Sequence, residues 1–232
     1  MKQAWMKYRY AAIVVGSAAL IATSSASAQN TGSFSQNTVK IGVLTDMSGI
    51  FADLAGAGSD LINAVKASNE YGIGKKQQLS GLVASIIDVH AMGLNVTQGM
   101  VLVEDFYWNL NDRSRTWSKR FFSTQKKMPN FVHAATYSSV LTYLKAVQAA
   151  GSDSPGEVVK QMKKMTINDV FTSNGKVRAD NKMVHDVYVM EVKKPGESKV
   201  PWDYYHVRHT MPGNEASQPL SASKCLMVKQ PA

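Results

Sequence analysis

The chain predicts an α/β fold. Three observations point there. Val39–Leu44 is a compact apolar run of the kind that forms a strand buried on both faces. Helical periodicity opens at Ser59, and further short apolar runs alternate with amphipathic stretches beyond it. A hairpin-rich section closes the chain. Strands alternating with helices imply helices laid on a largely parallel sheet.

The elements follow in order, after an address. Lys2, Lys7 and Arg9 precede the uncharged run 11–22, and Ala26-Ser27-Ala28 stands before Gln29. Basic, apolar, small is the order of a secretory signal peptide, and the apolar run is too short to cross a bilayer as a helix. Cleavage after Ala28 and export are expected. A polar lead-in, 29–37, reaches the strand Val39–Leu44. Asp53 to Gly58 makes the turn into a helix from Ser59, with Leu61, Ile62 and Val65 on one face. Leu79–Ile87 and the apolar part of Gly99–Trp108 read as further buried strands. Arg113–Thr124 reads as a helix with Trp117, Phe121 and Phe122 inward. Val132–Ala150 is a long helix, with Tyr137, Val140, Leu141, Leu144 and Val147 recurring at helical spacing and Gly151 as its stop. Asp153 or Ser154 caps another, with Pro155 at its first position and Val158, Val159 and Met162 inward. Val170-Phe171, Lys176–Arg178, Val184–Val192 and Val200–His209 have strand character, with Asn174-Gly175 as a hairpin turn.

Composition narrows the function. Of the 26 basic residues three lie in the leader, leaving 23 against 17 acidic ones in the exported part. That excess is scattered in lysine pairs rather than gathered into a patch, so no nucleic-acid partner is expected. Cys225 is the only cysteine, so no internal disulfide forms. No cofactor or metal motif stands out. His206 and His209, three apart on a strand, point to opposite faces. Gly72–Lys76 lacks the spacing of a phosphate loop. Asp88 and His90 would share one face if a strand persisted to them, and a carboxylate beside a histidine can do acid–base work. Phe106-Tyr107-Trp108 follows an apolar strand. It reads either as core packing or as an aromatic wall for a small ligand at the carboxyl end of a sheet.

Several stretches, in order, resemble the solute-binding proteins of ABC transporters, branched-chain amino acid or amide type. They are Val39–Gly49 with Asp53–Gly56, Ile62–Lys66, Lys75–Leu79, Asp88–Leu94, Gln98-Gly99, Tyr137–Val140, Asn174–Asp180 and Met183–Asp186 with Val189. The resemblance implies a type I periplasmic-binding-protein fold, two Rossmann-like lobes that close on a ligand by a hinge. It is incomplete here, because such proteins are much longer and most of the first lobe's sheet has no counterpart. By resemblance, 1–28 is the signal peptide and 29–58 the first strand and loop of lobe one. Residues 59–98 belong to lobe two, 99–165 to lobe one, and 166–232 to lobe two with the tail.

The implied function is noncatalytic capture, in the periplasm, of an amino acid, an amide or a small organic acid, aromatic ones included. The partners implied are that ligand and a membrane permease, with the chain acting as a monomer and needing no cofactor. The ligand-binding residues expected are Ser48, Phe51 and Asp53 in the first loop, Asp88 in a lobe-two loop, and the Phe106, Tyr107 and Trp108 wall. Two alternatives stand beside this: an internally deleted, non-binding remnant of such a protein, and a small exported enzyme using Asp88 and His90.

Overall fold

The computed structural model describes residues 59–73, 78–81 and 83–229. The leader 1–28, the strand Val39–Leu44, the loop residues Ser48, Phe51 and Asp53, and the Lys75-Lys76 pair lie outside the described residues.

Ser59–Glu70 (α1) is helical and buries Val65, with Leu61 and Ile62 packed beside it. The strand expected over Leu79–Ile87 is reduced to Ser80–Gly81 (β1). From Ile86 the chain is helical instead: Ile86–Met92 (α2), then a single turn, Leu94–Thr97 (α3). The reason is local. Ser85 holds extended backbone, and Asp88, three residues on, accepts hydrogen bonds from both its amide and its hydroxyl at 2.8 Å. That capping of the first turn by Asp88 starts a helix where hydrophobicity alone suggested a strand.

Val101–Glu104 (β2) is the third expected strand, with its faces unequal. Leu102 and Glu104 are buried, whereas Val103 is 52% exposed. Asp112–Gln125 (α4) starts on Asn111, whose side chain accepts from the Ser114 amide at 2.9 Å, and it buries Trp117 as expected. Phe131–Ala150 (α5) is the long helix, and Gly151 ends it in the left-handed conformation. Its inner face differs from the expected one. The buried row is Ala134, Ser138, Thr142, Ala146 and Val147, while Tyr137 and Leu144 are 37% and 41% exposed. Small residues at four-residue spacing let the helix sit close to its neighbours, and the buried Ser138 hydroxyl donates to Asp169 Oδ2 at 2.6 Å. Pro155–Lys164 (α6) packs Val158 against Ala146 and Val147 of α5. Ser154 holds the capping position without a side-chain bond.

Asn174-Gly175 is not the hairpin turn. Gly175 bridges back to Ile167, and the intervening bend is held by Asp169 Oδ1, which accepts from the Phe171 and Thr172 amides. Val170-Phe171 therefore forms that bend rather than a strand. Lys176–Val177 (β3) pairs with Met183–Val184 (β4), and the reversal falls at 178–182. Val187–Val192 (β5) and Tyr205–Met211 (β6) form the longest pairing, with a bulge between Val189 and Met190. Gly213–Ala216 (α7) and Leu226–Lys229 (α8) are short closing turns.

The main sheet runs β1-β2-β5-β6. Only β1 and β2 are parallel; β5 and β6 join antiparallel. Among the described residues, the mostly parallel sheet expected from the apolar runs is a mixed one. Antiparallel pairing tolerates one open face, which is why Val103 reaches solvent. Segment 99–165 contributes β2 to a sheet whose other strands come from 59–98 and 166–232.

Candidate functional site

The carboxyl end of β2 gathers more chemistry than any other part of the described residues. β2 ends in Glu104, which is 1% exposed. One of its oxygens, Oε1, accepts from the Tyr205 hydroxyl at 3.1 Å, and Oε2 has no partner. Burial pushes the Glu104 carboxyl well above the usual carboxylate range, and the Asp105 and Asp88 charges push the same way against the Tyr205 hydroxyl. Asp105 is also raised by burial, with His185 opposing. The Tyr205 phenol is driven far up by burial and by Glu104.

The aromatic triplet stands next. Phe106, Tyr107 and Trp108 are all buried, and Phe106 meets Trp117 edge-on at 5.7 Å between ring centroids. Trp108 Nε1 donates to the Trp202 carbonyl at 2.7 Å, and the Tyr107 hydroxyl reaches the same carbonyl and Asp203 at 3.4 Å. These bonds hold Trp202 in a left-handed backbone conformation, φ 70°, rare for a bulky residue. Burial acts to raise the Asp203 carboxyl, but the Lys193 ammonium at 2.6 Å and the Lys199 amide outweigh it and hold it below its ordinary value.

Of the expected ligand residues that are described, Asp88, Phe106, Tyr107 and Trp108 all come to this end of the sheet. Asp88 is on α2 rather than in a loop, and its Oδ2 is engaged in capping Ser85. His90 does not share its face. Two residues apart on a helix they point about 200° apart. His90 instead stacks on Trp202 at 3.8 Å and bonds Tyr204 through Nδ1 at 2.8 Å. The hydroxyl that meets Asp88 is that of Ser85, at 2.8 Å, in the cap of α2. His206 pairs with Glu197 at 3.3 Å, and among the described residues no cluster of three or more metal-ligating side chains occurs. Glu104, Tyr205, Trp202 and Asp203 are the residues that sequence reasoning missed. The signal for the first was the Glu104-Asp105 pair ending an apolar run.

Comparison with known proteins places this arrangement. A family model described as periplasmic binding protein matches residues 53–197, well over half of the chain. The chain belongs to the periplasmic binding protein family. A solved periplasmic binding protein from Burkholderia mallei is 51% identical to it, with a TM-score of 0.70, over 74% of this chain and 45% of that one. A branched-chain amino acid ABC transporter periplasmic ligand-binding protein from Burkholderia xenovorans is 39% identical, with a TM-score of 0.69, over 74% and 46%. A leucine-, isoleucine-, valine-, threonine- and alanine-binding protein from Brucella ovis, 16% identical with a TM-score of 0.59, shares the fold over 70% and 43%. No curated protein sequence matches. The fold is that of type I periplasmic binding proteins, and the chain spans less than half the length of the solved relatives it matches.

Proposed function

We propose that this periplasmic binding protein is the solute-binding component of an ABC importer, exported by a signal peptide cleaved after Ala28. It captures an amino acid, an amide or a small organic acid and hands it to a membrane permease, acting as a monomer, without catalysis and without nucleic acid. The observation that carries the reading is the family match over 53–197, which contains Asp88, Glu104 and the Phe106-Tyr107-Trp108 triplet, while Trp202, Asp203 and Tyr205 follow just beyond it. The Burkholderia xenovorans relative, described as an amino-acid transporter's ligand-binding protein, supports the solute class. The geometry suits it. Glu104 Oε2, without a partner beside the Tyr205 ring, offers a polar contact among aromatic walls, while the Trp108 indole and the Tyr107 and Tyr205 hydroxyls are engaged within the protein. Ser48, Phe51 and Asp53, which lie outside the described residues, are proposed as further ligand contacts by the family resemblance alone.

The test is calorimetric titration of the purified exported chain with single amino acids, amides and small organic acids. One compound or a narrow class binding with one-to-one stoichiometry is the expected result, and heats of dilution alone across the panel would refute capture. One observation favours a second reading, a family member that keeps part of the fold and binds no solute. Val103, Val132 and Leu144 are 52%, 52% and 41% exposed, so apolar faces of the sheet and of α5 stand open. The same titration separates the two.

A further inference from the structure

A cavity lies in the groove between α4 and the first half of α5, on the side of Trp117 that Phe106 does not cover. It has a volume of about 490 Å³, within the range of small-molecule sites. Its floor is aromatic. Trp117 is 7% exposed and lies against Phe121 at 5.7 Å and Tyr137 at 5.4 Å between ring centroids. Its rim is polar and basic, formed by Arg120, Thr124, His133 and Thr136. Among the described residues the Arg120 guanidinium makes no hydrogen bond or ion pair. His133 Nδ1 accepts from the Asn130 amide at 3.2 Å, which leaves the ring proton of the neutral imidazole on Nε2 as a donor. Lys127 lies near enough that its charge, after burial, lowers the affinity of His133 for a second proton. The only acidic residue of α4 is Asp112 in its first turn, where Arg115 takes it at 2.7 Å. The groove thus joins flat apolar walls to an uncompensated positive rim.

We propose that this groove binds a small aromatic carboxylate, with the ring against Trp117, Phe121 and Tyr137 and the carboxylate on Arg120. An aromatic ring gains from edge and offset contacts with these three side chains. A guanidinium takes a carboxylate through paired N–H donors, the stronger class of hydrogen bond. A neutral solute would leave the Arg120 charge unanswered. An aliphatic acid would forgo the ring contacts. The groove does not rest on the solute-capture reading: benzoate binding that Arg120→Gln and Thr136→Trp leave intact belongs to that reading, and benzoate binding lost in both variants belongs to the groove.

The test titrates the whole exported chain with benzoate, cyclohexanecarboxylate and benzyl alcohol by calorimetry. Benzoate should bind, and each of the other two at least about tenfold more weakly. Arg120→Gln removes an exposed side chain that has no partner among the described residues, so the variant should fold, and it should weaken benzoate about tenfold or more. Thr136→Trp, an exposed substitution at the rim, should block the groove and abolish binding. Thermal unfolding at the wild-type midpoint checks that both variants are folded. Equal binding of benzoate and benzyl alcohol, undiminished binding in Arg120→Gln, or no benzoate binding at all would overturn the proposal.

Discussion

At 1% exposure Glu104 carries a carboxyl group into the buried face of the sheet, and only one of its two oxygens has a donor. An unsatisfied buried acceptor costs about 1–3 kcal/mol, more when charged. Its folded-state affinity for a proton is raised above the ordinary value of 4.5, so its contribution to stability is fully present below that value and lost as pH rises through the folded one. Glu104→Gln should therefore stabilise the protein by about 1 kcal/mol or more at pH 8 and flatten that part of the pH dependence. Urea unfolding of both proteins at pH 5 and pH 8 reads this directly, and equal differences at the two pH values would count against a buried, protonated Glu104. Asp88 works locally instead. Asp88→Ala removes the acceptor of two bonds from Ser85 and should cost about 1 kcal/mol, measured by the same unfolding. Its role was hard to read because sequence periodicity sees apolar spacing, and the spacing of 79–87 fits a strand. The deciding signal was Ser85 with a carboxylate three residues on, a capping pattern inside an apolar run.

Elements were legible where periodicity was long and misread where it was short. α4, α5 and α6 fall where the helical spacing puts them, because ten or more residues of one period outweigh local exceptions. The inner face of α5 differs from the one that large apolar side chains at helical spacing predict. The helix instead turns its small residues in, where Ser138 bonds Asp169, and leaves Tyr137 and Leu144 outward. The hairpin turn was misplaced because Asn174-Gly175 has turn chemistry for a reason other than reversal. A Cβ on Gly175 would come within 2.6 Å of the Thr172 side chain and 2.9 Å of Met183. Gly175→Ala should then cost about 1–3 kcal/mol through overpacking and loosen the bridge to Ile167. Hydrogen exchange at the Ile167 and Gly175 amides tests it, and unchanged protection would show that the close approach carries no strain. Val158→Ala, which empties the contact between α5 and α6, should cost about 2 kcal/mol in thermal unfolding.

At the scale of the whole molecule, the order of soft motifs carried more than any single one. The family resemblance spread over the chain is met by a match across residues 53–197 and by the type I fold of the solved relatives. Which of its residues meet a solute was less legible. Tyr205 and Trp202 are brought to Glu104, Tyr107 and Trp108 because β5 pairs with both β2 and β6, and no local pattern encodes hydrogen bonds that join residues 101 and 94 positions apart. The proposed capture function requires that this member of the periplasmic binding protein family fold and keep a solute site at the carboxyl end of β2. A ligand that binds only the native state must raise its unfolding temperature, by an amount that grows with concentration. The decisive measurement is thermal unfolding of residues 29–232 across rising concentrations of amino acids, amides and small organic acids. A single cooperative transition, raised progressively by one solute class, is the predicted result. A broad transition that no compound moves would contradict it.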